Sequence, residues 1–265
     1  MAPVTRILLK RARDRARLAE RRARDAERLA ELGAMTGGLA HEIKNPLSTV
    51  GLNAQLLAEA ISDSALPQDE RDRLLRRIDA LSREIERLRG ILTDFLQFAG
   101  RVNLETENRD LVQIIADICD FYQPQCDQSS VVLRTQLPSV PVLVRVDESL
   151  FKQALLNLMI NATQVMSANS RSSNDPNQQG TSGELMLRVE TDNNEARLHV
   201  IDTGPGIDSK KLKEIFHPYV SHQTGGTGLG LPTARRIIEE HDGRLEVHSE
   251  LGKGSDFVIH LPLSS

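Results

Sequence analysis

The sequence predicts two joined architectures: a helical hairpin that forms a dimeric four-helix bundle, then an α+β layer with helices on one side of a mixed sheet. Three observations carry that expectation. Apolar residues recur at helical spacing through the first hundred residues, with few breakers. Beyond residue 104, short runs of both kinds replace them, separated by Pro, Asn and Gly turns. Gly100 to Asn103 supply a joint between the two patterns.

The first helix is expected over much of Thr5 to Ala60, where only Gly33, Gly37-Gly38, Pro46 and Gly51 interrupt good helix formers. Leu32, Met35, Leu39, Ile43, Leu47 and Val50 follow at steps of three or four and form one apolar stripe. Pro46 lacks a backbone donor and is expected to kink this helix. After a turn near Ser62–Gln68, Leu74, Ile78, Leu81, Ile85, Leu88, Leu92 and Phe95 alternate steps of four and three. That spacing is the 3.5-residue repeat of supercoiled helices. Two antiparallel helices leave part of each stripe exposed, and pairing two hairpins buries the rest, so a homodimer is expected.

In the second half, Asp110 is a candidate cap for a helix to Cys126, and Val131–Gln136 and Val142–Val146 read as strands. Glu148–Met166 is a helix. Glu184–Glu190 and Ala196–Ile201 form a hairpin about Asp192-Asn193-Asn194. A helix from Leu229 to Glu240 and strands at Arg244–His248 and Asp256–Leu261 complete the layer. The polar stretch 167–183 has no periodicity and is expected to be a flexible surface loop. The domain reading is a linker helix at 1–32, a hairpin at 33–100 and an α+β domain at 104–265.

Composition narrows the function classes. Of 265 residues, 39% are hydrophobic and 26% charged, the balance of an ordinary soluble protein. No apolar run approaches the roughly 20 residues that cross a bilayer, and Ile7-Leu8-Leu9 is too short for a signal-peptide core. Cys119 and Cys126 are the only cysteines, which makes neither a disulfide framework nor a zinc site and suits a reducing cytoplasm. Residues 1–32 carry a net charge of +5, and the remainder −9. No aromatic residue is interleaved with the N-terminal arginines, so a stacking platform for bases is missing and no nucleic-acid partner is expected.

Three runs carry the chemistry. The first is His41-Glu42-Ile43-Lys44-Asn45-Pro46-Leu47. At 100° per residue His41 lies about 200° from both Leu39 and Ile43, so it faces away from the stripe. A neutral imidazole attacks phosphorus through one nitrogen, and a neighbouring carboxylate such as Glu42 can take the proton of the other. Asn45, on the same outer face, can orient a water. The second run, Asp202-Thr203-Gly204-Pro205-Gly206-Ile207, ends a predicted strand in an acid that can accept an adenine amine, with glycines that let backbone approach a base. The third, Gly225-Gly226-Thr227-Gly228-Leu229-Gly230-Leu231, opens a helix whose N-terminus can meet phosphate. Between the first two, Asn157 and Asn161 stand at i, i+4 on the 148–166 helix, and their amide oxygens suit magnesium alongside phosphate.

The heptapeptide from His41 resembles the H box of two-component sensor histidine kinases. Phe151 to Gln164, Asp202 to Ile207, Phe216 to Gln223 and Gly226 to Leu231 are similar to that family's N, G1, F and G2 boxes, in the family order. The resemblance covers about residues 30–262. It implies an α/β sandwich ATP-binding domain of the GHKL (Bergerat) type, ATP and Mg²⁺ as cofactors, and autophosphorylation of His41 with Glu42 as base. It further implies transfer to an aspartate of a response regulator, and a regulator-phosphatase function involving Asn45. By resemblance Asn161 is the metal ligand, with Asn157 beside the phosphates, and Asp202 contacts adenine. Gln164, Gly204, Gly206, Ile207, Tyr219, Gly226, Thr227, Gly228, Leu229, Gly230 and Leu231 complete the ATP site. An upstream sensor domain or sensory protein is the implied input, and the chain is then cytoplasmic or the cytoplasmic part of a longer, membrane-linked sensor.

Two departures stand out. Ser221-His222-Gln223 replaces a frequent Thr-Thr-Lys and removes a positive charge near the phosphates, and Gly254-Ser255-Asp256-Phe257 replaces Gly-Thr-x-Phe. Two other readings compete: a non-catalytic dimeric scaffold that senses ATP, and an ATPase of the gyrase or Hsp90 kind, which needs no phosphoacceptor histidine.

Overall fold

The computed structural model describes residues 43–100, 103–172, 183–192, 194–220 and 227–264. The long first helix before residue 43 and the linker at 1–32 lie outside the described residues. The chain divides into two compact units, Met1–Arg101 and Val102–Ser265.

In the first unit, α1 (residues 43–62) and α2 (Gln68–Ala99) form a hairpin. Ser64 closes the turn by donating its hydroxyl to the Ile61 carbonyl at 2.6 Å. Pro67 precedes α2, and Asp69 and Glu70 place negative charge on its first turn, where the helix dipole favours it. The two helices approach closely at Gly51, where an added Cβ would lie 3.8 Å from Ile85 Cγ2. Ala54 and Ile85 are buried there. Other stripe positions are not covered: Val50, Leu81 and Leu88 are exposed by 46%, 49% and 43%.

The second unit holds a five-stranded mixed sheet in the order β2-β4-β5-β7-β6. Its strands are β2 (Val131–Gln136), β4 (Gly183–Thr191), β5 (Glu195–Asp202), β6 (Arg244–Glu250) and β7 (Gly254–Pro262). Only β2 and β4 run parallel within it; β4, β5, β7 and β6 pair antiparallel in turn. A separate antiparallel pair joins β1 (Glu107–Asp110) to β3 (Leu143–Val146). β1 has no counterpart in the sequence reading, because Glu-Asn-Arg-Asp carries no apolar alternation.

Alternation fixes which sheet face is buried. Leu185, Leu187, Leu198, Val200, Phe257, Ile259 and Leu261 point inward, into one core with the helices α3 (Leu111–Gln128), α4 (Glu148–Ser172) and α5 (Gly230–Glu240). Those helices contribute Ile115, Phe151, Leu155, Leu158 and Ile238, all fully buried. The opposite face carries Arg188, Glu190, Arg197, His199 and Asp256, with His199 Nδ1 2.9 Å from Asp256 Oδ2. Asp110 caps α3 as expected, its Oδ1 accepting from Val112 N–H at 3.0 Å. The 148–166 helix is longer than expected: α4 continues to Ser172, into the stretch read as loop, and 173–182 lie outside the described residues.

Candidate active site

Helix α4 is the spine of the site. Its N-terminus is fixed by Asp147, whose Oδ1 accepts from Ser149 N–H, Leu150 N–H and Ser149 Oγ at 2.8–3.1 Å. Asp147 N–H in turn donates to His241 Nε2 at 2.9 Å, tying the start of α4 to the end of α5. Asn157 and Asn161 then stand one turn apart, both half-buried. Asn157 lies against the start of α5, where a Cβ on Gly230 would come within 4.0 Å of the Asn157 Cγ. One further turn along, Val165 touches the 204–207 loop, with its Cγ2 3.2 Å from where Gly204 would carry a Cβ. One helix face therefore runs from the second glycine cluster to the first. Gln164 is exposed beside it.

At the first cluster Asp202 ends β5 and is only 2% exposed. Burial pushes its carboxyl above the ordinary 3.8, against the hydrogen bonds of Gly204 N–H and of Ser255 hydroxyl and backbone, which favour the anion. The Gly204 bond is 2.8 Å. Gly206 has φ +70°, and any Cβ there would run into the Glu250 carbonyl. Gly254, with φ +92°, is pressed equally close to the Asp202 carbonyl. Glycine is thus required on both sides of the contact between the 204–207 loop and the β6–β7 turn.

At the second cluster Gly228 has φ +69° and packs on the backbone of Tyr219 and Val220, with a Cβ position 2.7 Å from the Tyr219 carbonyl carbon. Tyr219 N–H donates to the Gly228 carbonyl at 3.1 Å, and Tyr219 itself has φ +65° with a 65% exposed side chain. Thr227 Oγ1 accepts from Leu229 N–H at 3.3 Å, Leu229 is buried, and Leu231 is half-buried behind it. The first backbone N–H groups of α5 have no partner within the helix, and anions are favoured at such an end. Arg235 of α5 stacks over Phe216 at 5.1 Å.

The structure brings Asp202, Gly204, Gly206 and Ile207 together at one end of α4's face, and Gly228, Leu229 and Gly230 near Asn157 at the other. His41, Glu42, Gly226 and residues 221–223 lie outside the described residues. Asn45 is exposed on α1, its carbonyl accepting from Thr49 Oγ1 at 3.0 Å. Sequence reasoning missed Val165 as a contact of the first loop and Ser249 as its anchor; Ile207 N–H donates to Ser249 Oγ at 2.8 Å. The only signal for Ser249 was its place six residues before Ser255, across a glycine-rich turn.

Residues 31–101 match the model of the His Kinase A (phospho-acceptor) domain. Residues 146–265 match that of the histidine kinase-, DNA gyrase B- and HSP90-like ATPases. The chain belongs to the two-component sensor histidine kinases. Among similar family members, sensor histidine kinase ZraS of Klebsiella oxytoca is 31% identical over 236 residues, covering 88% of this chain and 46% of ZraS. The sensory histidine kinase/phosphatase NtrB of Vibrio alginolyticus is 32% identical over 234 residues, 85% of this chain and 61% of NtrB. This chain therefore spans roughly half the length of such curated relatives.

Among solved histidine kinases, full-length ShkA in complex with AMPPNP shares the fold with a TM-score of 0.67 at 24% identity, over 88% of this chain and 46% of ShkA. Histidine kinase ThkA in complex with response regulator protein TrrA gives 0.59 at 23%, over 90% of this chain and 64% of that one. The helical hairpin followed by an α/β GHKL-type sheet domain is the fold of this family.

Proposed function

We propose that this chain is the kinase core of a two-component sensor: it binds ATP with Mg²⁺, phosphorylates His41, and passes the phosphoryl group to an aspartate of a response regulator. The observation that carries the reading is the placement of α4 between the two glycine clusters. Asn157 and Val165 are eight residues apart, so their contacts lie about 12 Å apart along the axis. A nucleotide laid along this face has its base at Asp202 and its phosphates at the start of α5.

Each group has a role in that arrangement. The Asp202 carboxylate accepts the 6-amino group of adenine, while Gly204 and Gly206 keep the loop backbone close to the base. The α5 N-terminus and the Thr227–Leu231 segment receive the phosphates. Asn161 offers one hard oxygen, and among the described residues no group of three or more His, Cys, Asp or Glu could hold a metal. An Mg²⁺ ion here would take the rest of its ligands from nucleotide phosphates and water, as that ion commonly does. Bound magnesium would supply charge neutralisation at the β- and γ-phosphates. A ring nitrogen of His41 attacks the γ-phosphorus, the bond to ADP breaks, and Glu42 takes the proton from the other nitrogen. The resulting phosphoimidazole is a high-energy donor to a carboxylate.

A homodimer fits the hairpin. Leu52, Leu56 and Leu57 on α1 are more than half exposed in the single chain, as are nearly half of Leu81 and Leu88 on α2. Full burial of each such side chain is worth roughly 1.5–3 kcal/mol, and a second hairpin supplies the cover. An upstream sensor domain or sensory protein would provide the input, and a cytoplasmic setting suits both the ATP chemistry and the buried free thiols Cys119 and Cys126. No helix among the described residues is long and apolar enough to cross a membrane.

Asn45, exposed on α1 and four residues after His41 in sequence, would orient the water that hydrolyses the regulator's phosphoaspartate; the kinase/phosphatase name of the NtrB relative supports that second activity. With γ-labelled ATP, the chain should acquire a protein-bound label that survives alkali and is lost in acid. Asn45→Ala should keep that label and lose regulator dephosphorylation. An acid-stable label, or ATP hydrolysis with no labelled protein, would refute the kinase reading; an Asn45→Ala chain with full phosphatase activity would refute the second role.

A further inference from the structure

Asp202, Ser255 and Ser249 stand side by side on three neighbouring strands. Asp202 of β5 is the register partner of Ser255 on β7, and Ser255 is the partner of Ser249 on β6. Their side chains form a continuous polar row. Ser255 lies beside Asp202 across the strand pair, where its hydroxyl and backbone favour the ionised carboxylate. Ser249 Oγ accepts from Ile207 N–H at 2.8 Å and shares its one hydroxyl proton, as donor, between the Gly254 carbonyl at 2.7 Å and Ser255 Oγ at 3.1 Å.

Ser249 thus reaches three parts of the site at once: the 204–207 loop, the β6–β7 turn and the serine beside Asp202. Gly252 N–H adds a second tie from that turn, donating to the Pro205 carbonyl at 2.8 Å. This second bond is backbone to backbone and survives any side-chain change. Loss of the Ser249 hydroxyl would therefore leave the loop tethered at Pro205 while releasing Ile207 and the Ser255 hydroxyl.

We infer that Ser249 is a positioning residue for base recognition, acting through Ser255 to aim the Asp202 carboxylate and through Ile207 to set the loop that closes over the base. The inference rests on the reading that Asp202 accepts the adenine amine. It concerns selection of the base rather than the chemistry at phosphorus. Ser249 touches no reacting atom. Its effect is therefore expected in nucleotide affinity and base preference, with phosphoryl transfer at saturating ATP little changed.

The test uses the full chain and two nucleotides, ATP and inosine triphosphate, which carries a 6-oxo group in place of the amine. Dissociation constants are measured for wild type, Ser249→Ala, Ser249→Thr and Asp202→Asn, with ligand-free thermal unfolding as a check on folding. Ser249→Ala should weaken ATP about tenfold, the scale of one or two lost hydrogen bonds, and inosine triphosphate less than about threefold. Ser249→Thr, which keeps the hydroxyl, should recover ATP affinity to within about threefold of wild type. Equal losses for both nucleotides, no loss for either, or a threonine variant as weak as the alanine one would overturn the role of Ser249. If Asp202→Asn abolishes the preference for ATP while Ser249→Ala retains it, only the Ser249 role fails. If Asp202→Asn leaves the preference intact, the adenine reading fails and this inference falls with it.

Discussion

Asp202 carries two demands that conflict, and its environment records the conflict. The carboxylate must be ionised to accept an amine, yet it is 2% exposed, and burial raises its pKa above 3.8. An acid whose folded pKa is raised holds its proton more tightly in the native state, so ligand-free stability falls as pH rises from the unfolded value through the folded one. The cost is complete once pH stands above the folded value. Asp202→Asn removes the buried charge and can keep the Gly204 N–H bond, so its ligand-free unfolding midpoint should equal or exceed wild type at pH 7. The same variant should lose the rise in midpoint that ATP gives wild type. Differential scanning of both chains with and without ATP checks this, and a variant still stabilised by ATP as strongly as wild type would contradict it.

At the scale of elements, α4 governs the geometry, because one face touches both glycine clusters. Its N-terminal cap is the obvious place to perturb it without entering the site. Burial raises the Asp147 carboxyl, but hydrogen bonds from Ser149, Glu105 and Leu150 together outweigh it and hold the carboxyl below its ordinary value. A depressed acid stabilises the fold above its unfolded pKa, and that contribution is lost as pH falls through the folded value. Asp147→Ala should cost about 1 kcal/mol at pH 7, the typical worth of an N-cap. The difference from wild type should shrink as pH falls from the ordinary 3.8 towards the lower folded value. Urea unfolding at the two pH values measures it; a pH-independent difference would show that the charge of Asp147 is irrelevant.

Elements with a local pattern are legible in the sequence. The heptad spacing of Leu74 to Phe95 gives α2, and the alternation through Glu184–Glu190 and Ala196–Ile201 gives the β4–β5 hairpin, because both patterns are local. The polar Glu107–Asp110 strand is defined only by its partner β3, and the parallel pairing of β2 with β4 joins segments fifty residues apart. Neither leaves a local trace. Ser249 was hidden for the same reason: its partners Ile207 and Ser255 come from different strands and loops, whereas the glycines it sits among announce themselves by composition.

For the whole molecule, the proposed phosphoryl transfer runs from a nucleotide face on the α+β unit to a histidine of the helical unit. The resemblance of the His41 heptapeptide and the glycine runs was readable from order and spacing, and the two halves match the models of the phospho-acceptor domain and of the histidine kinase-, DNA gyrase B- and HSP90-like ATPases. The exposed leucines of α1 and α2 are the apolar face that the proposed dimer would cover. The most direct test of the central claim is labelling from γ-labelled ATP in wild type and His41→Gln, with nucleotide binding measured in parallel. Wild type should become labelled, and His41→Gln should bind ATP with unchanged affinity yet carry no acid-labile phosphate. A His41→Gln chain labelled to the wild-type level would contradict the account.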